Sequence, residues 1–170
     1  FHKFADELEA KDAAGQYAFG AAENEKHRVT WEGIAVWTYL GATFKGLKNV
    51  GSVMTGSAYP GLWSLVYTPG DLESMAEAYT NVYINTCGSN RYEEFYKVVS
   101  NSKSDGMVLH LNRSCKLMGL LNNEGAEYVN AKMGIPFVSF DGDQTDPNVF
   151  SQAQYETRVQ ALSEMMDNNK

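Results

Sequence analysis

Apolar residues recur along this chain in two rhythms: short runs bounded by glycine or proline, and longer stretches spaced at three and four. Four stretches follow the second rhythm clearly. Between Ile34 and Lys48, Val36, Trp37, Leu40, Phe44 and Leu47 fall on one helical face. Leu72, Met75, Ala76 and Tyr79 do the same after Asp71, a good N-cap, and predict a helix running to Asn85. Gly88 is expected to break that helix. The next spans Asn90 to Ser102 with Tyr92, Phe95, Tyr96 and Val99 on one side. The last runs from Ser151 to Asp167 and places Tyr155, Val159, Leu162 and Met166 at spacings of four, three and four.

The short runs read as strands: Arg28 to Trp31, Asn49 to Gly56, Met107 to Leu111 and Phe137 to Phe140. A further helix is predicted from Ser114 to Lys132, stopped by Gly134. Ser57 to Gly70 holds two Pro-Gly pairs and reads as a loop with room for one helical turn. Asp141 to Pro147 is a turn-rich link into the capped final helix. Strands alternating with helices predict an α/β fold, a mainly parallel four-stranded sheet with helices on both faces. Residues 1–25, charged and alanine-rich, are expected to form a helical lead-in ending near Gly15 or Gly20. Residues 26–170 would form the α/β domain. The chain lacks an initiator Met and starts in a helical pattern, so the expectation is a piece of a larger subunit.

Composition narrows the function classes. A formal charge of −7 argues against nucleic acid as partner. No apolar run nears the roughly 20 residues of a membrane span, and the N-terminus has no signal-peptide core. Two cysteines, Cys87 and Cys115, make no disulfide framework and suggest a reducing, cytoplasmic setting.

Candidate chemistry concentrates at Asp105–Met118. The run Met107–Leu111 ends in Asn112, Arg113 and Ser114, which deliver Cys115 to the first turn of a helix. The positive helix end, Arg113 and Lys116 would all favour the thiolate, which attacks electrophiles or binds metal. Equally, Cys115 could be a buried cysteine filling a gap between helix and sheet. In a parallel sheet, ligands sit beyond the carboxyl ends of the strands where the order reverses. The loops at Glu32–Ile34, Asn112–Cys115 and Asp141–Asp143 would meet there. Asp141, Asp143 and Asp146 alternate like a calcium loop, but Gln152 stands where that pattern wants Glu, so a turn is the simpler reading. His27 and His110 each read as a histidine making one hydrogen bond. No phosphate-binding glycine loop and no nucleophile elbow occurs.

These segments, together with Gly134-Ile-Pro-Phe137, Phe140-Asp-Gly-Asp143 and Phe150–Arg158, resemble the 2-hydroxyacyl-CoA dehydratases, a family related to benzoyl-CoA reductase subunits. Lys26-His-Arg28, Trp31-Glu-Gly33, Trp37 and Met54–Ser57 fit the C-terminal part of its alpha-type subunit. The resemblance implies a [4Fe-4S] cluster, for which Cys115 matches the C-terminal cysteine ligand, with Asn112, Arg113 and Ser114 around it. It assigns no role to Cys87, and the remaining ligands would lie outside this chain. It further implies a related beta-type partner subunit in a heterodimer and an ATP-dependent iron–sulfur activator protein. The substrate would be a 2-hydroxyacyl-CoA, losing water through a ketyl radical to give an enoyl-CoA. Two alternatives stand beside it: a ring-reducing subunit of the benzoyl-CoA type, and a non-catalytic flavodoxin-like binding module.

Overall fold

A computed structural model describes residues 1–20 and 22–169. Positions 21 and 170, which the expected lead-in and α/β domain respectively include, lie outside them. The elements in chain order are α1 (His2–Ala13), β1 (His27–Glu32), α2 (Leu40–Asn49), β2 (Ser52–Ser57), α3 (Leu72–Asn81), α4 (Gly88–Asn101), β3 (Gly106–Asn112), α5 (Lys116–Met133), β4 (Phe137–Gly142) and α6 (Gln152–Asn168). Single 3-10 turns occupy Ala22–Asn24, Trp37–Tyr39 and Tyr59–Trp63.

The four strands form one all-parallel sheet in the order β2-β1-β3-β4. Because consecutive parallel strands need a crossover, α2, α4 and α5 each carry the chain back over a face of the sheet. Two separate apolar clusters result. Val29, Trp31, Val108 and Phe140 face Leu47 of α2 and Tyr155, Val159, Leu162 and Met166 of α6. Met107 and Leu109 face Phe95 and Val99 of α4 and Met118, Ala126 and Val129 of α5. With both faces covered, β3 is buried at every position but Leu111, which is why it reads as an unbroken apolar run rather than an alternating one. The α6 face is buried as its spacing predicts, each of its four residues 2% exposed or less.

Several local expectations need correction. The helix expected from Ile34 begins only at Leu40. Val36 instead drops into the core in a non-helical conformation, fully buried, after Gly33 turns the chain with φ +97°. The face drawn through Trp37, Leu40 and Phe44 stays partly exposed, and only Val36 and Leu47 of that set reach the core. The second strand starts at Ser52, since Asn49 still belongs to α2. Asp71 caps α3 as expected, accepting from Glu73 N and Ser74 N at 3.0 and 3.1 Å. That helix stops at Asn81, however, because Val82 turns extended and buries itself with Tyr83. Gly88 opens α4 rather than breaking a helix, with Cys87 at the N-cap position. Strand β4 continues through Asp141 and Gly142, which pair with Leu111 and Asn112, so the turn starts later than expected. Helix α1 ends at Ala13, short of the glycines, and buries none of its side chains. Among the described residues no helix is long and apolar enough to cross a membrane.

Helix α2 rests on α6 through one close approach. A Cβ at Gly46 would lie 2.7 Å from Tyr155 Cε1, and Tyr155 is fully buried with its hydroxyl donating to Thr43 O at 2.8 Å. Alanine normally gains about 1 kcal/mol over glycine inside a helix, but forcing a methyl against a fixed ring costs about 1–3 kcal/mol. Gly46→Ala is therefore expected to lower the melting temperature by a few degrees. Gly41→Ala in the same helix, with open space at its Cβ, should leave it level or raise it. Thermal unfolding of the two variants checks this.

Candidate functional site

The strand order reverses between β1 and β3, and the chain leaves both strands at the same end of the sheet. Here the exits cross closely. A Cβ at Gly33 would stand 2.6 Å from His110 O and 3.1 Å from Asn122 Nδ2, and one at Gly142 would stand 2.6 Å from His110 Nε2. His110 Nδ1 meets Ile34 O in a short hydrogen bond, and its ring stacks on Phe140 at 5.2 Å. Burial pushes the imidazole pKa down, favouring the neutral ring. His110 thus makes the single bond expected of it. His27 is buried at the opposite end of β1, with Nε2 3.1 Å from Asp167 Oδ1.

The loop after β3 is tied to the loop after β4 residue by residue. Asn112 Oδ1 accepts from Gln144 N at 3.2 Å. Arg113 N donates to Gly142 O at 3.0 Å, while its guanidinium lies 3.6 Å from Asp141 Oδ2, both side chains largely exposed. Ser114 gives both its N–H, at 3.1 Å, and its hydroxyl to Asp143 Oδ2. The other oxygen of Asp143 accepts from Thr145 N, Thr145 Oγ1 and Asp146 N at 2.9, 3.2 and 3.0 Å. Led by the Ser114 hydroxyl, these donors hold the Asp143 carboxyl well below the usual carboxylate range. The aspartates therefore build a turn, as their spacing suggests, while the cap of α6 is Ser151.

Cys115 occupies the N-cap position of α5, half-buried against the cluster that contains Met118. Its N–H donates to Asn112 O and its carbonyl accepts from Gly119 N, at 3.1 and 3.0 Å. Placement at a helix start is as expected; of the two flanking cations, Arg113 pairs with Asp141. Cys87 opens α4, which packs beside α5 and starts at the same end of the sheet. Among the described residues no three His, Cys, Asp or Glu side chains converge as a metal site requires. Cys115 offers one sulfur ligand, and the described residues do not enclose an iron–sulfur cluster by themselves.

Two features escaped the sequence reading. One is a buried polar cluster around Glu32, the last residue of β1. Tyr83 Oη donates to Glu32 Oε1 at 2.7 Å, and Arg91 Nη2 lies 3.8 Å from the same oxygen. Arg91 Nη2 also reaches Met118 Sδ at 2.7 Å and Asn122 Oδ1 at 3.2 Å, with the guanidinium 4.7 Å over the Tyr83 ring. Arg91, Phe95 and Val99 share a spacing of four, so the signal was present, but arginine is seldom counted as a core residue. The other is an apolar slot of roughly 250 Å³ beyond β1 and β2, walled by Trp31, Trp37, Leu40, Phe44, Met54 and Tyr59. It takes up the residues of the predicted α2 face that the core leaves exposed.

Comparison with known proteins places this arrangement. Residues 1–166 match the family described as 2-hydroxyglutaryl-CoA dehydratase, D-component. The lactoyl-CoA dehydratase subunit alpha of Anaerotignum propionicum is 58% identical over 99% of this chain and 40% of its own length. The (R)-2-hydroxyisocaproyl-CoA dehydratase alpha subunit of Clostridioides difficile is 41% identical over all of this chain and 41% of its own. A more distant relative, a benzoyl-CoA reductase subunit from Thauera aromatica, is 24% identical over 89% of this chain and 36% of its own. The chain thus spans about two-fifths of the length of the dehydratase relatives. On the match across almost its whole length, this chain belongs to the 2-hydroxyglutaryl-CoA dehydratase D-component family.

Proposed function

We propose that this chain is part of the alpha-type subunit of a (R)-2-hydroxyacyl-CoA dehydratase, a hydro-lyase that eliminates water from a 2-hydroxyacyl-CoA to give the enoyl-CoA. The observation that carries this reading is the 58% identity to a lactoyl-CoA dehydratase alpha subunit along 99% of the chain. The position of Cys115 supports it: a half-buried thiol at a helix start, beyond the carboxyl end of β3 and beside the point where strand order reverses. In this proposal Cys115 contributes one ligand to a [4Fe-4S] cluster, and the remaining ligands come from residues outside these 170. Such a cluster, when bound, supplies Lewis-acid and one-electron chemistry.

The chain's own residues act by placement. Ser114 and Asp143 fix the turn that presents Cys115, with a carboxylate that stays ionised and cannot drift while its donors hold it. Asn112 ties the same turn to Gln144. The covered sheet face beneath Cys115, with Met118 and Leu109 fully buried, keeps water from that side. A related beta-type subunit, completing a heterodimer, and an ATP-dependent iron–sulfur activator complete the proposed system. The compartment is the cytoplasm, where free thiols persist.

Two outcomes test the proposal in the full natural chain, with its partner subunit, after reconstitution with iron and sulfide. Cys115→Ala is expected to remove most of the bound iron and acid-labile sulfide, and unchanged content would refute the ligand assignment. Asp143→Ala, which strips Ser114 of its acceptor, is expected to lower cluster content partially and to reduce the melting temperature. Iron and sulfide analysis alongside thermal unfolding separates the two effects.

A further inference from the structure

The Glu32 cluster contains three polar atoms without hydrogen-bond partners, each on a side chain almost wholly buried. They are Glu32 Oε2, Arg91 Nη1 and Asn122 Nδ2, on residues 1%, 2% and 2% exposed. They come from three elements, β1, α4 and α5, that the chain brings together only in the folded state. Buried polar groups are almost always satisfied, so three orphans in one cluster point to a missing partner. Their chemistry defines that partner. Two N–H donors and one carboxyl oxygen are the complement of a hydroxyl group, which accepts two hydrogen bonds and donates one. A water bound inside a protein commonly has two to four such partners.

We propose that Glu32, Arg91 and Asn122 form a subsite for one hydroxyl group beside the carboxyl end of β1, Glu32 accepting from that group when ionised and donating to it when protonated. The burial of all three side chains makes a water molecule the resident. The hydroxyl of a 2-hydroxyacyl thioester has the same chemistry, and only that second source rests on the dehydratase reading. With Glu32 ionised, the hydroxyl donates to Oε2 and accepts from Arg91 and Asn122. With Glu32 protonated, Oε2–H donates to the oxygen in place of one of those two donors, and no covalent O–H bond of the hydroxyl is made or broken.

The groups facing Glu32 are few. From the α3–α4 connection comes the Tyr83 hydroxyl, from α4 the Arg91 guanidinium, and from the chain just after β1 the Gly33 N–H. Helix α5 adds Asn122 and Met118, neither of which titrates. Burial outweighs these neighbours and raises the carboxyl to about 7, so both protonation states are populated near neutrality.

Crystals of the full natural chain, grown with and without a 2-hydroxyacyl thioester, test the subsite directly. An oxygen within hydrogen-bond distance of all three atoms in both crystals identifies a water. Its replacement by a ligand oxygen identifies a substrate hydroxyl. No oxygen there in either crystal overturns the proposal, whatever the cluster analysis of Cys115→Ala shows. The proton is tested by stability against pH. A carboxyl raised in the folded state stabilises fully below its unfolded value of 4.5 and loses that contribution as pH rises through about 7. The stability of the wild type relative to Glu32→Gln is therefore expected to fall across that window and to level off above it. Equal pH slopes for the two proteins would overturn the proton role. Should Glu32→Gln fail to fold, infrared spectra of the wild type provide the readout. A protonated carboxyl band that titrates near 7 is expected, and its absence has the same force as equal slopes.

Discussion

Everything at the carboxyl end of this sheet depends on how closely the chain passes His110. Its carbonyl leaves no room for a side chain at position 33, and its ring leaves none at position 142. The Nδ1 bond to Ile34 O then fixes the first residues after β1. One buried imidazole thereby sets where the connections after both neighbouring strands begin. Glycine is required at 33 on two counts, space and a φ of +97°. With those exits pinned, Val36 reaches the core and the Asp143 turn lands beside Ser114.

Two carboxyls at this end illustrate how environment divides one functional group into two. Asp143 and Glu32 are both nearly inaccessible. Asp143 is ringed by donors, from Ser114, Thr145 and Asp146, and is held ionised. Glu32 has the Tyr83 hydroxyl and the Gly33 N–H beside it and a cation 3.8 Å away, which do not offset its loss of solvent. Hydrogen bonds to the charged form decide the direction for Asp143, and loss of solvent decides it for Glu32. The first carboxyl serves as a fixed anchor for a loop; the second is able to change protonation near neutral pH.

The fold was largely legible in the chain because most of its signals are local. Tyr155, Val159, Leu162 and Met166 mark a helix face that needs no tertiary knowledge, and Asp71 caps α3 through bonds two and three residues away. The misses came where distant residues decide. Val36 leaves the helical pattern because Ile34 is held by a histidine 76 residues further on. Val82 ends α3 because the core has room for it and for Tyr83. At the site, Asn112 through Cys115 could be placed from sequence, since a strand followed by a polar turn and a helix is itself a local pattern. The Glu32–Tyr83–Arg91–Asn122 cluster could not, because its members lie on separate elements and meet only when α4 packs against α5.

The all-parallel sheet has an electrical consequence as well. Since every strand runs the same way, α2, α4, α5 and α6 all begin at its carboxyl end. Each contributes roughly half a positive charge there from its unpaired N–H groups. The chain as a whole carries −7, and these helix starts place a positive contribution at the end where Cys115 sits. Those partial charges oppose the chain's net negative charge at that end, an effect that is strongest at low ionic strength.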